Sequence, residues 1–337
     1  MPPDFASQRF NVFRHATLHD PTTGAHGNVT LIFLTPFIYN PTAGRLVRNP
    51  GLLERVLAEL RPRAADLRPT PTTRPREATE IAARFAGQGV SMVIAAGGDG
   101  TINEVANGLA GSATSLTIVP MGTANVLACE MGLSRDPLRA AREVSALEPR
   151  RISLGSIRNS HGEARHFLLM AGAGLDARVN GRVRPDIKRR FGKLAYWLAG
   201  AEMVGRRLAQ IEARAEGRTF RTGFALAARV RNYGGDLAIA SKASLLSDRF
   251  ELVTFRGETS WPYPLYLGGA LLGRASAVPG VESVFTRRVE LAPVNGSGVE
   301  IQIDGEQAGS LPATLEIVTE ALTLMVPSRY ARREQDR

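Results

Sequence analysis

Cysteine is almost absent from this chain: Cys129 is the single one among 337 residues. One thiol cannot close an intramolecular disulfide, which excludes a disulfide-stapled fold and suits a reducing compartment. Lysine is nearly as scarce, confined to Lys188, Lys193 and Lys242, and arginine supplies the rest of the basic charge. The five histidines (His15, His19, His26, His161 and His166) show no metal-ligand spacing, so a zinc enzyme is not indicated. No uncharged apolar run reaches the ~18 residues of a membrane span, and residues 1–27 lack the apolar core of a signal peptide. There is no G-x-x-x-x-G-K-S/T, and no G-x-G-x-x-G follows a strand, which excludes a P-loop and a Rossmann dinucleotide fingerprint.

Charge of one sign is in excess: 42 Lys plus Arg against 32 Asp plus Glu, for a formal net charge of +10. Such a balance favours nucleic acid, an acidic membrane surface or phosphorylated ligands as partners. No aromatic-interleaved basic stripe or RNA-binding signature accompanies it, so nucleic acid is not expected.

Hydrophobic residues make up 44% of the chain, enough for two cores. Residues 1–27 mix Pro, Gly, His and Thr without periodicity and read as a flexible leader. Residues 28–150 alternate strand, loop and helix. "LIFLTPFIYN" and "VSMVIAAGG" are apolar strands, "GLLERVLAELRP" and "TINEVANGLAG" amphipathic helices, and "SLTIVP" a further strand before the helix "NVLACEMGL". This alternation predicts a doubly wound α/β domain with a parallel sheet. Residues 151–330 change texture to short alternating runs, from "RISLGSIR" to "ATLEIV", and predict an antiparallel β-sandwich or barrel. Its C-terminal end is free to pack back on the first domain. One helix, "GKLAYWLAGAEMVGRRLA", interrupts these runs.

Three loops share one edge of the predicted parallel sheet, where ligands bind: "NPTAG" (40–44), "GGDGT" (97–101) and "MGTAN" (121–125). Each is short and rich in Gly, Thr and Asn, and two open directly onto a helix. Glycine lets backbone approach a ligand, and the unpaired N–H groups of a first helical turn suit phosphate. Thr101 and Thr123 add hydroxyl donors. The bland alternative is a set of tight strand-to-helix turns. Asp99 among phosphate-binding amides is repulsive unless a cation lies between, and magnesium on a nucleotide phosphate is the cation expected.

These loops, in this order, resemble the catalytic domain of the diacylglycerol kinase family, the soluble lipid kinases related to sphingosine and ceramide kinases. "GGDGTINEVANGL", "NPTAGR" and "PMGTANVLA" carry the resemblance, with "AGAGLDARV", "NYGG" and "IQIDGE" in the second half. It covers about residues 29–330 and implies an α/β nucleotide domain followed by a β-sandwich, as in the NAD kinase and diacylglycerol kinase fold. It implies that ATP is held by Asn40, Pro41, Thr42, Ala43, Gly44, Thr72, Gly98, Asp99, Gly100, Thr101, Ile102, Asn103, Glu104 and Thr123, with Mg2+ near Asp99. Asp304 would be the general base on the lipid hydroxyl, with Glu306 beside it. In "VEIQID" the alternation independently puts Glu300, Gln302 and Asp304 on one polar face, although an Asp-Gly hairpin turn accounts for Asp304 as well.

One departure stands out. Family members usually carry Asp-Asp-Gly or Asp-Gly just before the strand matched by "FELV", and this chain has Ser247 where the second aspartate belongs, followed by Asp248. In some bacterial relatives that position supplies a structural magnesium ligand, so the departure puts such a site near Ser247 and Asp248 in doubt. The resemblance implies a cytoplasmic kinase resting on the inner membrane face, with a membrane lipid as substrate and a homodimer compatible. The basic run 182–190 and the helix 192–209 are candidates for membrane contact, with a solvated loop and a core helix as the alternatives. The rival functions are an NAD kinase, which shares the GGDG loop, and a regulator that has lost activity.

Overall fold

The computed structural model describes residues 34–64, 66–159, 162, 164–174, 205, 207–233, 237–296 and 298–336. The leader, the basic run 182–190 and most of the helix expected over 192–209 lie outside them.

The first unit runs β1 (Thr35–Tyr39), α1 (Gly44–Arg48), α2 (Leu52–Leu60), β2 (Leu67–Pro71), α3 (Glu77–Gly87), β3 (Met92–Gly97), α4 (Asp99–Leu109), β4 (Ser115–Pro120), α5 (Val126–Met131) and α6 (Pro137–Glu143). The strands are parallel, in the order β2-β1-β3-β4. Successive side chains point to opposite faces, and both faces are covered. Phe37, Ile94 and Val119 pack with α2 and α6, while Ile38, Val93 and Ile118 pack with α3 and α4. The sheet is therefore doubly wound, as its apolar strands predict. β2, "LRPTP", shows no apolar alternation, and its sequence alone predicts no strand. It survives at the sheet edge, where Pro69 and Pro71 need no second partner for their missing N–H groups.

The second unit contains β5 (Leu147–Asn159), β6 (Ala164–Phe167), β7 (Met170–Gly174), β8 (Ile211–Ala215), β9 (Arg218–Thr222), β10 (Phe224–Ala228), β11 (Asn232–Tyr233), β12 (Leu237–Ala238), β13 (Phe250–Phe255), α7 (Tyr263–Leu271), β14 (Val281–Thr286), β15 (Arg288–Pro293), β16 (Glu300–Ile303), β17 (Glu306–Ser310), β18 (Ala313–Pro327) and α8 (Ser328–Gln335). An antiparallel sheet of order β14-β13-β10-β7-β16-β17 packs on β5, β8, β9, β15 and the first half of β18. Ala171, Ala173, Ala225, Ala227, Ile301 and Ile303 line the core between them.

β18 joins the two units. Its first half pairs antiparallel with β15. Its second half runs parallel to β4, with Thr323 opposite Ser115 and Leu324 opposite Leu116. The parallel sheet of the first unit thus continues into the sandwich, and the hairpin β16–β17 is carried back towards the carboxyl edge of β3 and β4.

Candidate active site

The three glycine-rich loops meet at that edge. The Asn40 side chain accepts hydrogen bonds from the Thr42 backbone N–H and hydroxyl, both at 2.8 Å, which folds 40–42 into a tight turn. The Arg45 amide donates to the Met121 carbonyl at 3.2 Å, and a Cβ on Gly44 would lie 3.5 Å from Thr123 Oγ1. A Cβ on Gly122 would stand 2.5 Å from Gly98 Cα, so the second and third loops touch backbone to backbone. Gly98 is extended (φ −85°, ψ 179°) and precedes α4, whose first amides point out of the sheet edge. The Thr72 amide donates to the Tyr39 carbonyl at 2.9 Å, which sets Thr72 beside Asn40. A cavity of about 380 Å³ opens against these loops, lined by Arg45, Arg48, Arg55 and Thr123 among others.

Asp99 has a role that its sequence context does not reveal. Its carboxylate accepts the backbone N–H groups of Val126 and Leu127 at 3.1 and 3.2 Å, and so caps α5 from the neighbouring loop. Asn125, buried in a left-handed conformation (φ 50°), closes the third loop by exchanging hydrogen bonds with the Gly122 backbone at 2.9 and 3.0 Å. A left-handed Asn before a helix is the signal that could have found it.

Three of the residues expected to hold nucleotide also make contacts within the fold. Ile102 is a core residue, 1% exposed. Asn103 is buried, with its amide directed at the His166 carbonyl 3.4 Å away. Glu104 accepts the Ala78 amide at 3.2 Å at the start of α3, and burial raises its pKa above the usual carboxylate range. Helical periodicity sorts them: Ile102 and Asn103 turn into the packing, while Glu104, four residues after Gly100, lies on the face of α4 that meets Glu306.

The second unit contributes two carboxylates through the turn between β16 and β17. Asp304 (φ 49°) and Gly305 (φ 86°) form a two-residue connection with left-handed backbone at both positions. Asp304 is thus outside the strand, and Gln302 is 1% exposed, so the polar face inferred for 300, 302 and 304 does not exist as such. A second packed layer covers that face, and Gln302 takes the Gly305 amide at 2.7 Å. The Asp304 carboxylate accepts three backbone amides, Leu168, Leu169 and Met170, at 2.8–2.9 Å. Burial pushes its pKa up to about 7, although the three amides pull it down; the charge of Asp99 adds to the rise. Glu306 is more open, its side chain 44% exposed and paired with Arg165 at 3.0 Å. Its Oε1 lies 2.9 Å from where a Cβ on Gly100 would stand, directly at the first turn of α4.

A positive charge does stand at the loop before β13, and it belongs to the protein. Arg229, 0% exposed, donates to the carbonyls of Leu245 at 2.7 Å and Ser247 at 3.2 Å. Burial pushes its pKa down to about 10, against the pull of Tyr330, Asp304 and Asp248. Asp248 is paired with Arg287, and the Ser247 hydroxyl takes the Arg249 amide at 3.1 Å. Among the described residues no group of three or more His, Cys, Asp or Glu side chains could hold a metal ion. Nothing in the composition marks Arg229, because arginine is common here and its burial is decided by packing.

Residues 35–157 match the model of the diacylglycerol kinase catalytic domain, and residues 170–326 match that of the YegS C-terminal NAD kinase beta sandwich-like domain. The chain is 28% identical over 305 residues to a diacylglycerol kinase of Bacillus subtilis, covering 89% of this chain and 98% of that protein. It is 30% identical over 295 residues to a Xanthomonas euvesicatoria protein named "Probable lipid kinase YegS-like", covering 84% and 94%. A crystal structure of a diacylglycerol kinase from Bacillus anthracis superposes with a TM-score of 0.72 at 21% identity, covering 88% of this chain and 98% of that one, and shows the shared fold. With its loops, its sandwich and these relatives in agreement, the chain belongs to the diacylglycerol kinase and YegS-like lipid kinase family.

Proposed function

We propose that this protein transfers the γ-phosphoryl group of ATP to the hydroxyl of a neutral lipid alcohol such as diacylglycerol. The observation that carries this reading is the meeting of Glu306, from the sandwich, with the first turn of α4, from the α/β unit. A phosphate group fits the free amides at that turn, where the helix dipole favours negative charge. Gly98 lets it approach without a Cβ. The acceptor hydroxyl then lies beside Glu306.

Glu306 is the better candidate for the general base. It is open to solvent and sits at the phosphate end of α4, whereas both oxygens of Asp304 are tied to the 168–170 backbone. This exchanges the roles given to the two carboxylates from sequence. Asp304 holds the turn that aims Glu306, and Arg165 orients the Glu306 carboxylate. Phosphoryl transfer asks the protein mainly for positioning and charge neutralisation. Glu306, and Asp99 through the lone pairs its oxygens keep beside the two α5 amides, would supply hard oxygen donors suited to magnesium carried with the nucleotide. When bound, that ion would neutralise charge on the transferring group. We place the activity at the cytoplasmic membrane surface; among the described residues no helix is long and apolar enough to cross a membrane.

The test is incorporation of label from γ-labelled ATP into diacylglycerol dispersed in mixed micelles, with NAD as a competing acceptor. Labelled lipid is the expected product. Formation of NADP without labelled lipid would overturn the reading in favour of the related NAD kinases.

A further inference from the structure

α7 is apolar on both of its faces, and the core needs only one. Inward, Tyr263, Tyr266, Gly269 and Ala270 are buried, with the two tyrosine rings 5.8 and 4.9 Å from Phe255. Outward, Trp261 is 70% exposed, Leu265 60%, Leu271 55% and Leu272 78%. Trp261, Leu265 and Leu272 are spaced so that they fall along one stripe of the helix. Gly268 lies on the same stripe and would admit a Cβ with nothing within 4 Å, so the ridge is open along its length. Large apolar side chains exposed in one continuous group mark an interaction surface.

The charge around the stripe says what it meets. From Thr259 to Gly280 there is no acidic residue, and Arg274 is the only charged one. Arg207 stands at the other end, bridged to Thr259, with Gly205 against the Trp261 ring. Both arginines are exposed, and neither has a carboxylate partner among the described residues. An apolar ridge begun by tryptophan and bounded by arginines is the pattern of an element lying in a membrane interface.

We propose that Trp261, α7 and Leu272 seat the protein on an anionic lipid bilayer. The stripe enters the boundary between headgroups and acyl chains, and Arg207 and Arg274 meet lipid phosphates. The inference deepens the proposed lipid kinase reading, whose substrate resides in such a bilayer, but docking itself requires no catalysis.

The full chain carrying Trp197→Phe leaves Trp261 as its single tryptophan. With phosphatidylcholine vesicles containing phosphatidylglycerol, Trp261 emission shifts to the blue and is quenched by brominated acyl chains. Leu265→Ser with Leu272→Ser lowers partitioning by about tenfold or more and leaves the melting temperature unchanged. Arg207→Gln and Arg274→Gln each weaken binding about fivefold on anionic vesicles and leave binding to neutral ones unaltered. Trp261 emission that brominated lipid does not quench would overturn the inference. So would a lipid-free dimer that the two serine substitutions disperse, since the stripe would then join two copies of the chain. Lipid phosphorylation in detergent micelles without vesicle docking refutes this inference and leaves the kinase reading intact. Docking without phosphorylation does the reverse.

Discussion

Gly122 and Gly98 press together so closely that a Cβ on Gly122 would stand 2.5 Å from the Gly98 Cα, while a Cβ on Gly98 would meet the Gly122 Cα at an ordinary 3.5 Å. The asymmetry separates two uses of glycine. Gly122 is demanded by the fold, because no side chain fits between the loops. Gly98 has room in the protein itself, so its bare backbone serves whatever approaches from outside.

Gly122→Ala is therefore expected to cost about 2 kcal/mol of stability through overpacking. Gly98→Ala should melt within a few degrees of wild type and yet bind ATP at least tenfold more weakly. Thermal unfolding and calorimetric titration with a non-hydrolysable ATP analogue check both. Normal nucleotide affinity in Gly98→Ala would remove the phosphate-cradle reading of this loop.

Glu306→Gln keeps the size of the side chain but cannot take a proton. Its kcat should fall about 10²–10⁴-fold, the usual worth of a general base, with the KM for ATP within a few-fold of wild type. Asp304→Asn should cost far less, because Asn suits the left-handed turn and still accepts amide hydrogen bonds. Steady-state kinetics on micellar lipid distinguish them. A severe loss in Asp304→Asn beside a near-normal Glu306→Gln would return the base role to Asp304.

The raised pKa of Asp304, about 7 when folded, has a consequence for stability. A carboxyl that binds its proton more tightly in the folded state stabilises the fold most below its unfolded pKa near 4. That contribution is lost as pH climbs towards 7. Glu104, Glu130 and Glu251 are shifted the same way, so the wild type alone does not isolate Asp304. The difference in unfolding free energy between wild type and Asp304→Asn does. It should move against wild type between pH 4 and 7 and level off above. A difference that stays constant with pH would show that the carboxyl keeps an ordinary pKa.

Arg229 is a buried cation whose guanidinium donates to two carbonyls of the loop before β13. Arg229→Met leaves the Leu245 and Ser247 carbonyls without a donor and should cost on the order of 3 kcal/mol in urea unfolding. The nucleotide-free wild type should show the same melting temperature from zero to millimolar free magnesium. A magnesium-dependent rise that Asp248→Ala abolishes would show that a metal does bind beside this loop.

How much was legible follows from what each feature depends on. The doubly wound sheet was readable because β3 and β4 are apolar throughout, as strands covered on both faces must be. β2 was not, since its pairing with β1 comes from position in the sheet and owes nothing to its own prolines. The meeting of the three glycine-rich loops was readable because short Gly, Thr and Asn runs between strand and helix fall at one edge of a parallel sheet. That the Asp304 carboxylate takes three backbone amides while Glu306 meets Arg165 was not, because both sit beside one turn and only their surroundings differ. Asp99 was assigned to a cation by charge alone, and the structure adds the two α5 amides it caps.

The sequence by itself determined the strand and helix alternation of the first unit apart from β2, the three loops and the family, because these rest on local periodicity and on residues with special backbone freedom. Tertiary structure alone decided which carboxylate is tied to backbone amides and which meets Arg165, that Arg229 stands at the 245–248 loop, and that Trp261 and Leu265 face outward. Those outcomes depend on desolvation and on partners more than a hundred residues apart in some cases, as with Asp304 and the amides of Leu168 to Met170. No local pattern encodes a dielectric environment; it arises only when distant segments close around a group.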